Sequence, residues 1–228
     1  MSKNSQRYQV FLLDADGTLL NFYQSQKVAL DHMLFDFGYQ MTEELLASYH
    51  RINREFWRDL AAGKIKKQEL LPKRFQIFAQ ETGLDLDPEL ANRSFLTHLS
   101  YQAFVFPGVE DVLRQLFKRS RIIIATNGVD FVQKRRFALS GLMPYTHQIV
   151  VSEAVGANKP EAAFFEAALK LAGNPDPATV LMVGDSPDSD IKGANDFGLD
   201  SCLYDPKDIH PQTDAKYTIR KIEELLEF

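Results

Sequence analysis

A single cysteine, Cys202, stands among 228 residues, so no disulfide can form within the chain. That scarcity excludes a disulfide-stapled scaffold and suits a reducing compartment. Basic residues are outnumbered, 26 Lys and Arg against 31 Asp and Glu, giving a formal net charge of −5 and a pI near 5.6. A broad nucleic-acid face needs a basic stripe to meet phosphate backbones, and this balance argues against one. Long apolar runs are missing too. No window reaches the ~18 uncharged apolar residues of a membrane span. The short run near the start is broken by Asp14, which is too early for a secretory leader. The expectation is a soluble, cytoplasmic protein with no membrane or nucleic-acid polymer as partner. No internal repeat or low-complexity tract appears. Core material is plentiful, at 45% hydrophobic and 11% aromatic residues, enough for one full-sized domain or a core with a smaller companion.

Two kinds of text alternate along the chain. Gln9–Leu13, Arg121–Ala125, Gln148–Val151, Val180–Val183 and Ser201–Tyr204 are short aliphatic runs with little polar alternation. Such runs read as strands buried on both faces. Helical patterns separate them; one is expected to open at Pro160 and close at Gly173, with Ala163, Phe164, Ala167, Ala168 and Leu171 on one face. Strand–helix alternation predicts a parallel sheet in an α/β fold. From about Asn21 to Ala103 strand signals vanish. Leu45, Tyr49, Ile52, Phe56 and Leu60 recur at helical spacing, and Asp87-Pro88-Glu89 has the form of a helix start. This stretch predicts an all-helical insertion after the first strand, with residues 1–20 and 105–228 forming the core and 21–104 the insertion.

The chemistry-bearing residues follow the strands. Asp14-Ala15-Asp16-Gly17-Thr18 comes directly after the first, where the carboxyl end of a parallel strand opens to ligands. Asp14 and Asp16, two apart, can share one cavity, and crowded carboxylates call for a metal or a proton. Asp185 and Asp190 follow the fourth strand in the same way. Two acidic clusters at one sheet edge make an oxygen-rich site suited to Mg²⁺. Thr126-Asn127-Gly128 follows the second strand with hydroxyl, amide and backbone donors for a phosphate. Lys159, placed just before an expected helix, raises the question of which anion it serves. Each segment has an ordinary reading as well: a turn, a helix cap or a solvated lysine.

Taken together, in this order, Asp-x-Asp-Gly-Thr, Thr-Asn-Gly, Lys-Pro and Gly-Asp-x-x-x-x-Asp resemble the haloacid dehalogenase-like superfamily over nearly the whole chain. The resemblance implies a Rossmann-like parallel sheet flanked by helices, with the helical insertion as a cap whose hinges lie near Asn21 and Pro107. It implies Asp14 as nucleophile and Asp16 as the acid that protonates the leaving group and later deprotonates water. Mg²⁺ would sit on Asp14, the backbone carbonyl of Asp16, and Asp185, with Asp190 behind them or orienting Lys159. Thr126, Asn127 and Lys159 would hold the phosphoryl group, helped by the N–H of Gly128. Dehalogenases of the superfamily lack the second aspartate, so Asp16 favours phosphoryl chemistry.

A finer resemblance, carried by TNGVDFVQKRRFALSGLMPYTHQIVVSEAVGANKPEAAFFEAAL and DADGTLLNFYQSQKVAL, is to pyrimidine 5′-nucleotidases. There are two departures from that subgroup: Gly17, where many members carry a second acid, and Tyr23-Gln24, where an acidic helix start is more usual. The resemblance implies hydrolysis of nucleoside monophosphates by a monomer or weak dimer. Phe22 and Tyr23 are then candidates for a base pocket, and Arg51, Arg54 and Arg58 read as a solvated helix face rather than one turned to the cleft, a reading that stays open. Other readings stay open: a phosphatase for phosphoglycolate or a sugar phosphate, a phosphomutase, or a binding module on the same fold.

Overall fold

Each of the five aliphatic runs becomes a strand in a computed structural model of the chain, which describes residues 7–228. In chain order the elements are β1 (Val10–Leu13), α1 (Phe22–Asp36), α2 (Glu43–Ala61), α3 (Lys67–Thr82), α4 (Pro88–Ser100), α5 (Val109–Leu116), β2 (Arg121–Thr126), α6 (Asp130–Ser140), β3 (Gln148–Val151), α7 (Ser152–Val155), α8 (Ala162–Leu171), β4 (Val180–Gly184), α9 (Lys192–Phe197), β5 (Asp200–Tyr204) and β6 (Tyr217–Ile219). The strands form one parallel sheet in the order β3-β2-β1-β4-β5-β6. β6 has no counterpart among the aliphatic runs of the sequence. It is three residues long, at the sheet edge, with only Ile219 fully buried.

The strands lack polar alternation because both faces are covered. Phe11, Leu13, Ile122, Ile124, Leu181 and Val183 face one core, which α5 and α6 close with residues such as Val112 and Phe137. Their neighbours Val10, Leu12, Ile123, Ala125, Val180 and Met182 face the other, closed by Phe164 and Phe165 of α8. At about 1.5–3 kcal/mol per fully buried large aliphatic or aromatic side chain, a one-residue slip of β1 would exchange every such contact. β1 and β4 lie side by side where the strand order reverses, and the crevice beyond their carboxyl ends is where such sheets take ligands.

The chain divides into two compact units: the sheet with its flanking helices, formed by Ala103–Phe228 with the chain start up to Asn21, and a helical unit, Phe22–Gln102. In the sheet unit the outgoing and returning segments run paired. Asn21 donates its N–H to the carbonyl of Phe104 at 2.7 Å, and Phe106 donates to Leu19 at 3.0 Å. Within the helical unit, Thr42 caps α2 and Asp87 caps α4, the latter accepting from the N–H of Leu90 at 2.8 Å with Pro88 in the first turn. Tyr49, Phe75, Phe78 and Phe95 pack ring against ring at its centre, with centroids 5.2–5.6 Å apart. Arg51, Arg54 and Arg58 are exposed, and Arg51 pairs with Glu55 and Glu81. No helix among the described residues is long and apolar enough to cross a membrane.

Candidate active site

Three strand ends and one loop bring the site together. Asp14 follows β1 and is tied to β4 by its N–H, which donates to the Val183 carbonyl at 2.8 Å. Asp185 follows β4, and Asn127 follows Thr126, the last residue of β2. Lys159 arrives on the loop between α7 and α8. Its ammonium, only 1% exposed, lies 2.6 Å from Oδ1 of Asp14, 2.6 Å from the carbonyl of Ala125 and 2.7 Å from Oδ1 of Asp190. The ammonium donates hydrogen bonds to Asp14 and to Ala125 and forms an ion pair with Asp190. The other oxygen of Asp190 accepts from the N–H of Ser186 at 3.1 Å. Ser186 also caps the following π-helical turn, Pro187–Ile191, through the N–H of Ser189.

The loop bearing Lys159 differs from its expected form. Pro160 does not open α8; the helix starts at Ala162, after a cis Lys159–Pro160 peptide and an extended Glu161. Lys159 is therefore not in a helix first turn, and the conflict expected with the helix dipole does not arise. Its backbone is gripped by the side-chain amide of Asn127. Nδ2 of Asn127 donates to the Lys159 carbonyl and Oδ1 accepts from the Lys159 N–H, both at 2.8 Å. The structure thus turns the Asn127 side chain toward Lys159. The N–H of Gly128 donates to Oγ1 of Thr126 at 3.0 Å.

Charge in the site is unbalanced. One oxygen from each of Asp14, Asp185 and Asp190 lies within 4.8 Å of the others, and Lys159 is the ammonium among them. Burial pushes the Asp14 carboxyl up to about 7, against the pull of Lys159 and with the repulsion of Asp190. Burial, with Asp14 and Asp190 beside it, also pushes Asp185 well above the usual carboxylate range. Burial pulls Lys159 down, but Asp14 and Asp190 outweigh it and hold the ammonium charged. Hard oxygen donors with a surplus of negative charge fit a divalent cation such as Mg²⁺. The glycines of the motifs make room for these groups. A Cβ on Gly17, which has φ +92°, would strike the Asp185 carboxylate, and one on Gly184 would strike Asp190.

Two residues at the site were not anticipated. Asp16, half-buried, receives Nη1 of Arg136 on Oδ1 and Nε2 of Gln133 on Oδ2, each at 2.5 Å. Both come from α6, where they share the buried face with Val132 and Phe137. A polar pair on an apolar stripe is a readable signal, but Arg136 ends the basic run Lys134-Arg135-Arg136, which reads as solvated. Phe22 and Tyr23 open α1 in the helical unit. Phe22 is half-buried; Tyr23 is 60% exposed and its ring meets His50 at 4.4 Å.

Comparison with known proteins adds an independent line. Residues 8–198 match the family of haloacid dehalogenase-like hydrolases. The chain is 33% identical over 223 residues to the pyrimidine 5′-nucleotidase PynA of Streptococcus pneumoniae, covering 96% of this chain and 94% of that protein. It is 32% identical over 226 residues to the pyrimidine 5′-nucleotidase YjjG of Escherichia coli, covering 96% and 98%. The crystal structure of the putative HAD-hydrolase YfnB from Bacillus subtilis, bound to magnesium, superposes with a TM-score of 0.92 at 32% identity over 97% of this chain and 98% of that one.

Proposed function

Because the chain belongs to the haloacid dehalogenase-like hydrolase family, we propose that it is a Mg²⁺-dependent phosphomonoesterase acting through an aspartyl-phosphate, with pyrimidine nucleoside monophosphates as substrates. The observation that carries the reaction is the buried Lys159 ammonium, held 2.6 Å from Asp14 in a cluster where carboxylates outnumber it. Similarity to PynA and YjjG over 96% of the chain supports the substrate class.

In this reading Asp14, Asp185 and the backbone carbonyl of Asp16 would hold Mg²⁺, which when bound offsets the charge of the carboxylates and of the phosphoryl oxygens. Oδ1 of Asp14 stays on Lys159, leaving the other oxygen to attack phosphorus. Asp190 fixes Lys159 from behind, and Asn127 fixes its backbone. Thr126 holds a phosphoryl oxygen through its hydroxyl, and Asn127 serves the phosphate through its backbone N–H. Asp16 gives a proton to the departing alcohol and takes one from the attacking water. Phe22 and Tyr23 serve base selection, so Tyr23→Ala is expected to shift the order of preferred esters and spare the chemistry.

The test is phosphate release from a panel of monoesters: pyrimidine and purine nucleoside monophosphates, phosphoglycolate and sugar phosphates. Each is assayed with Mg²⁺, with chelator and with Asp14→Asn. Metal-dependent release favouring pyrimidine nucleotides, lost in Asp14→Asn, is the expected result. Preference for another ester overturns the substrate class alone, and no release from any ester overturns the phosphatase reading.

A further inference from the structure

We infer that Gln133 and Arg136 of α6 are positioning residues for proton transfer, holding the Asp16 carboxyl in one plane and coupling it to Thr126. The inference rests on the proposed role of Asp16 as the acid and base of a phosphomonoesterase.

Arg136 is 0% exposed and Gln133 1% exposed, on a helix face otherwise packed with Val132 and Phe137. A buried guanidinium paired with a carboxylate is a poor means of stabilisation, since well-packed apolar residues commonly do as well or better. Its position therefore needs another reason, and the hydrogen bonds supply one. The Gln133 amide spends one N–H on Oδ2 of Asp16 at 2.5 Å and the other on Oγ1 of Thr126 at 3.1 Å. Its Oε1 accepts from Nη1 of Arg136 at 3.3 Å, which fixes which end of the amide faces the carboxylate. Nη1 of Arg136 also holds Oδ1 of Asp16 at 2.5 Å. The loop after β2 is shaped around this amide: a Cβ at Gly128 would strike the Gln133 side chain.

A carboxylate offers about four lone-pair directions. These two donors occupy one on each oxygen and leave the others for a proton. Two anchors on one planar group remove its rotation, and positioning within a fraction of an ångström is what proton transfer in an active site demands. In the first half-reaction Asp14 forms a bond to phosphorus, the ester P–O bond breaks, and the departing alkoxide oxygen takes the proton from Asp16. In the second, water oxygen bonds to phosphorus, its proton passes to Asp16, and the bond to Asp14 breaks to release phosphate. Both transfers use the carboxyl that Gln133 and Arg136 hold.

The experiment compares leaving groups at the first turnover. 4-Nitrophenyl phosphate releases an acidic phenol that departs without a proton; an alkyl phosphate, taken as the best substrate of the panel, does not. General acid catalysis is worth about 10²–10⁴-fold, so Asp16→Asn should lose that much on the alkyl ester and far less on the first-turnover burst of nitrophenolate. Arg136→Met and Gln133→Met should show the same split at smaller size, about 10–100-fold on the alkyl ester against less than about 3-fold on the burst, with KM within about 3-fold on either. Arg136→Lys should recover part of the loss. Thermal melts report folding, and if Arg136→Met does not fold, Gln133→Met and Arg136→Lys carry the comparison. Equal losses on both esters, or no loss on the alkyl ester in folded variants, overturn the inference. Should Asp16→Asn itself show no split, the assigned role of Asp16 falls and the inference with it; a wild-type protein inactive on every ester removes the phosphatase reading instead.

Discussion

Each unit of the protein buries an arginine, and the two are treated differently. Arg74, 2% exposed in the helical unit, gives its N–H groups to neutral oxygens: Oδ1 of Asn53 at 2.7 Å, Oδ1 of Asn92 at 3.2 Å and the carbonyl of Leu71 at 3.2 Å. Its guanidinium lies 5.0 Å from the Phe95 ring centroid and 5.1 Å from that of Phe75. Arg136 in the sheet unit reaches a carboxylate, Asp16, at the mouth of the sheet. The first arrangement satisfies a cation inside an aromatic cluster and ties α2, α3 and α4 together. The second spends a cation on an acid whose other lone pairs stay open. Burial alone does not separate structure from chemistry; the identity of the partner does.

The variant with the largest expected effect tests the chemical side. Asp14→Asn should cut turnover by about 10⁴-fold or more while leaving the melting temperature unchanged or raised, because it removes one of the crowded carboxylates. A large loss of stability would erase the distinction between the two units. Gly17→Ala places a Cβ against Asp185 on a backbone that disfavours it. We expect about a 100-fold loss of activity, from misplacement of the Asp185 carboxylate, with Mg²⁺ titrations showing weaker half-saturation.

Arg74→Met tests the other side. It takes one of two donors from Oδ1 of Asn53, which keeps the Trp57 indole N–H at 3.1 Å, and the Arg74 donor from half-buried Asn92, at about 0.5–1.5 kcal/mol per hydrogen bond lost. The melting temperature should fall by several degrees while phosphate release per folded molecule stays within about twofold. Loss of activity without loss of stability would move Arg74 into the chemistry.

Metal and pH provide a subtler contrast. The folded pKa of Asp14, about 7, lies above its ordinary value of 3.8, and that of Asp185 is raised as well. Raised acids favour the folded state while protonated, so the metal-free protein should lose stability as pH climbs from about 4 through 7. Mg²⁺ restores it by binding the ionised forms, so the melting-temperature gap between Mg²⁺ and chelator should widen from pH ~5 to ~8. A gap independent of pH would overturn this account. Smallest is Asn127→Ala. It frees the Lys159 backbone without removing the ammonium, and should cost about tenfold in turnover, with KM measured alongside to separate binding from rate.

The sheet was legible where the physics is redundant. Val10–Leu13 and Val180–Gly184 are apolar at every position because both faces are covered, and no helix competes for so short a run. β6 was not legible, because an edge strand of three residues buries too little to leave a pattern. Helix starts were readable at Asp87, where cap, proline and acid coincide. At Pro160 the same proline signal misled: it sits in a cis peptide two residues before α8 begins. Asp14, Lys159 and Asp185 stand in the motifs themselves. The use of Asn127 as a grip on the Lys159 backbone, and of Gln133 and Arg136 as anchors of Asp16, depends on distances between residues far apart in sequence. Spacing along the chain does not encode them.

The place of β1 has a consequence for synthesis. This strand leaves the ribosome first, yet it lies in the middle of the sheet, between β2 beginning at Arg121 and β4 beginning at Val180. At about 5–20 residues per second, roughly ten to thirty seconds separate the emergence of β1 from that of its second partner. Throughout that interval a four-residue apolar strand has at least one edge unpaired, which is the kind of surface that chaperones shield and that aggregates propagate. The helical unit, contiguous in sequence and local in its packing, can form within that wait. The insertion and the segment that follows it up to β4 together set the clock for closing the catalytic sheet, and the enzyme's yield in the cell should respond to translation speed across residues 22–180.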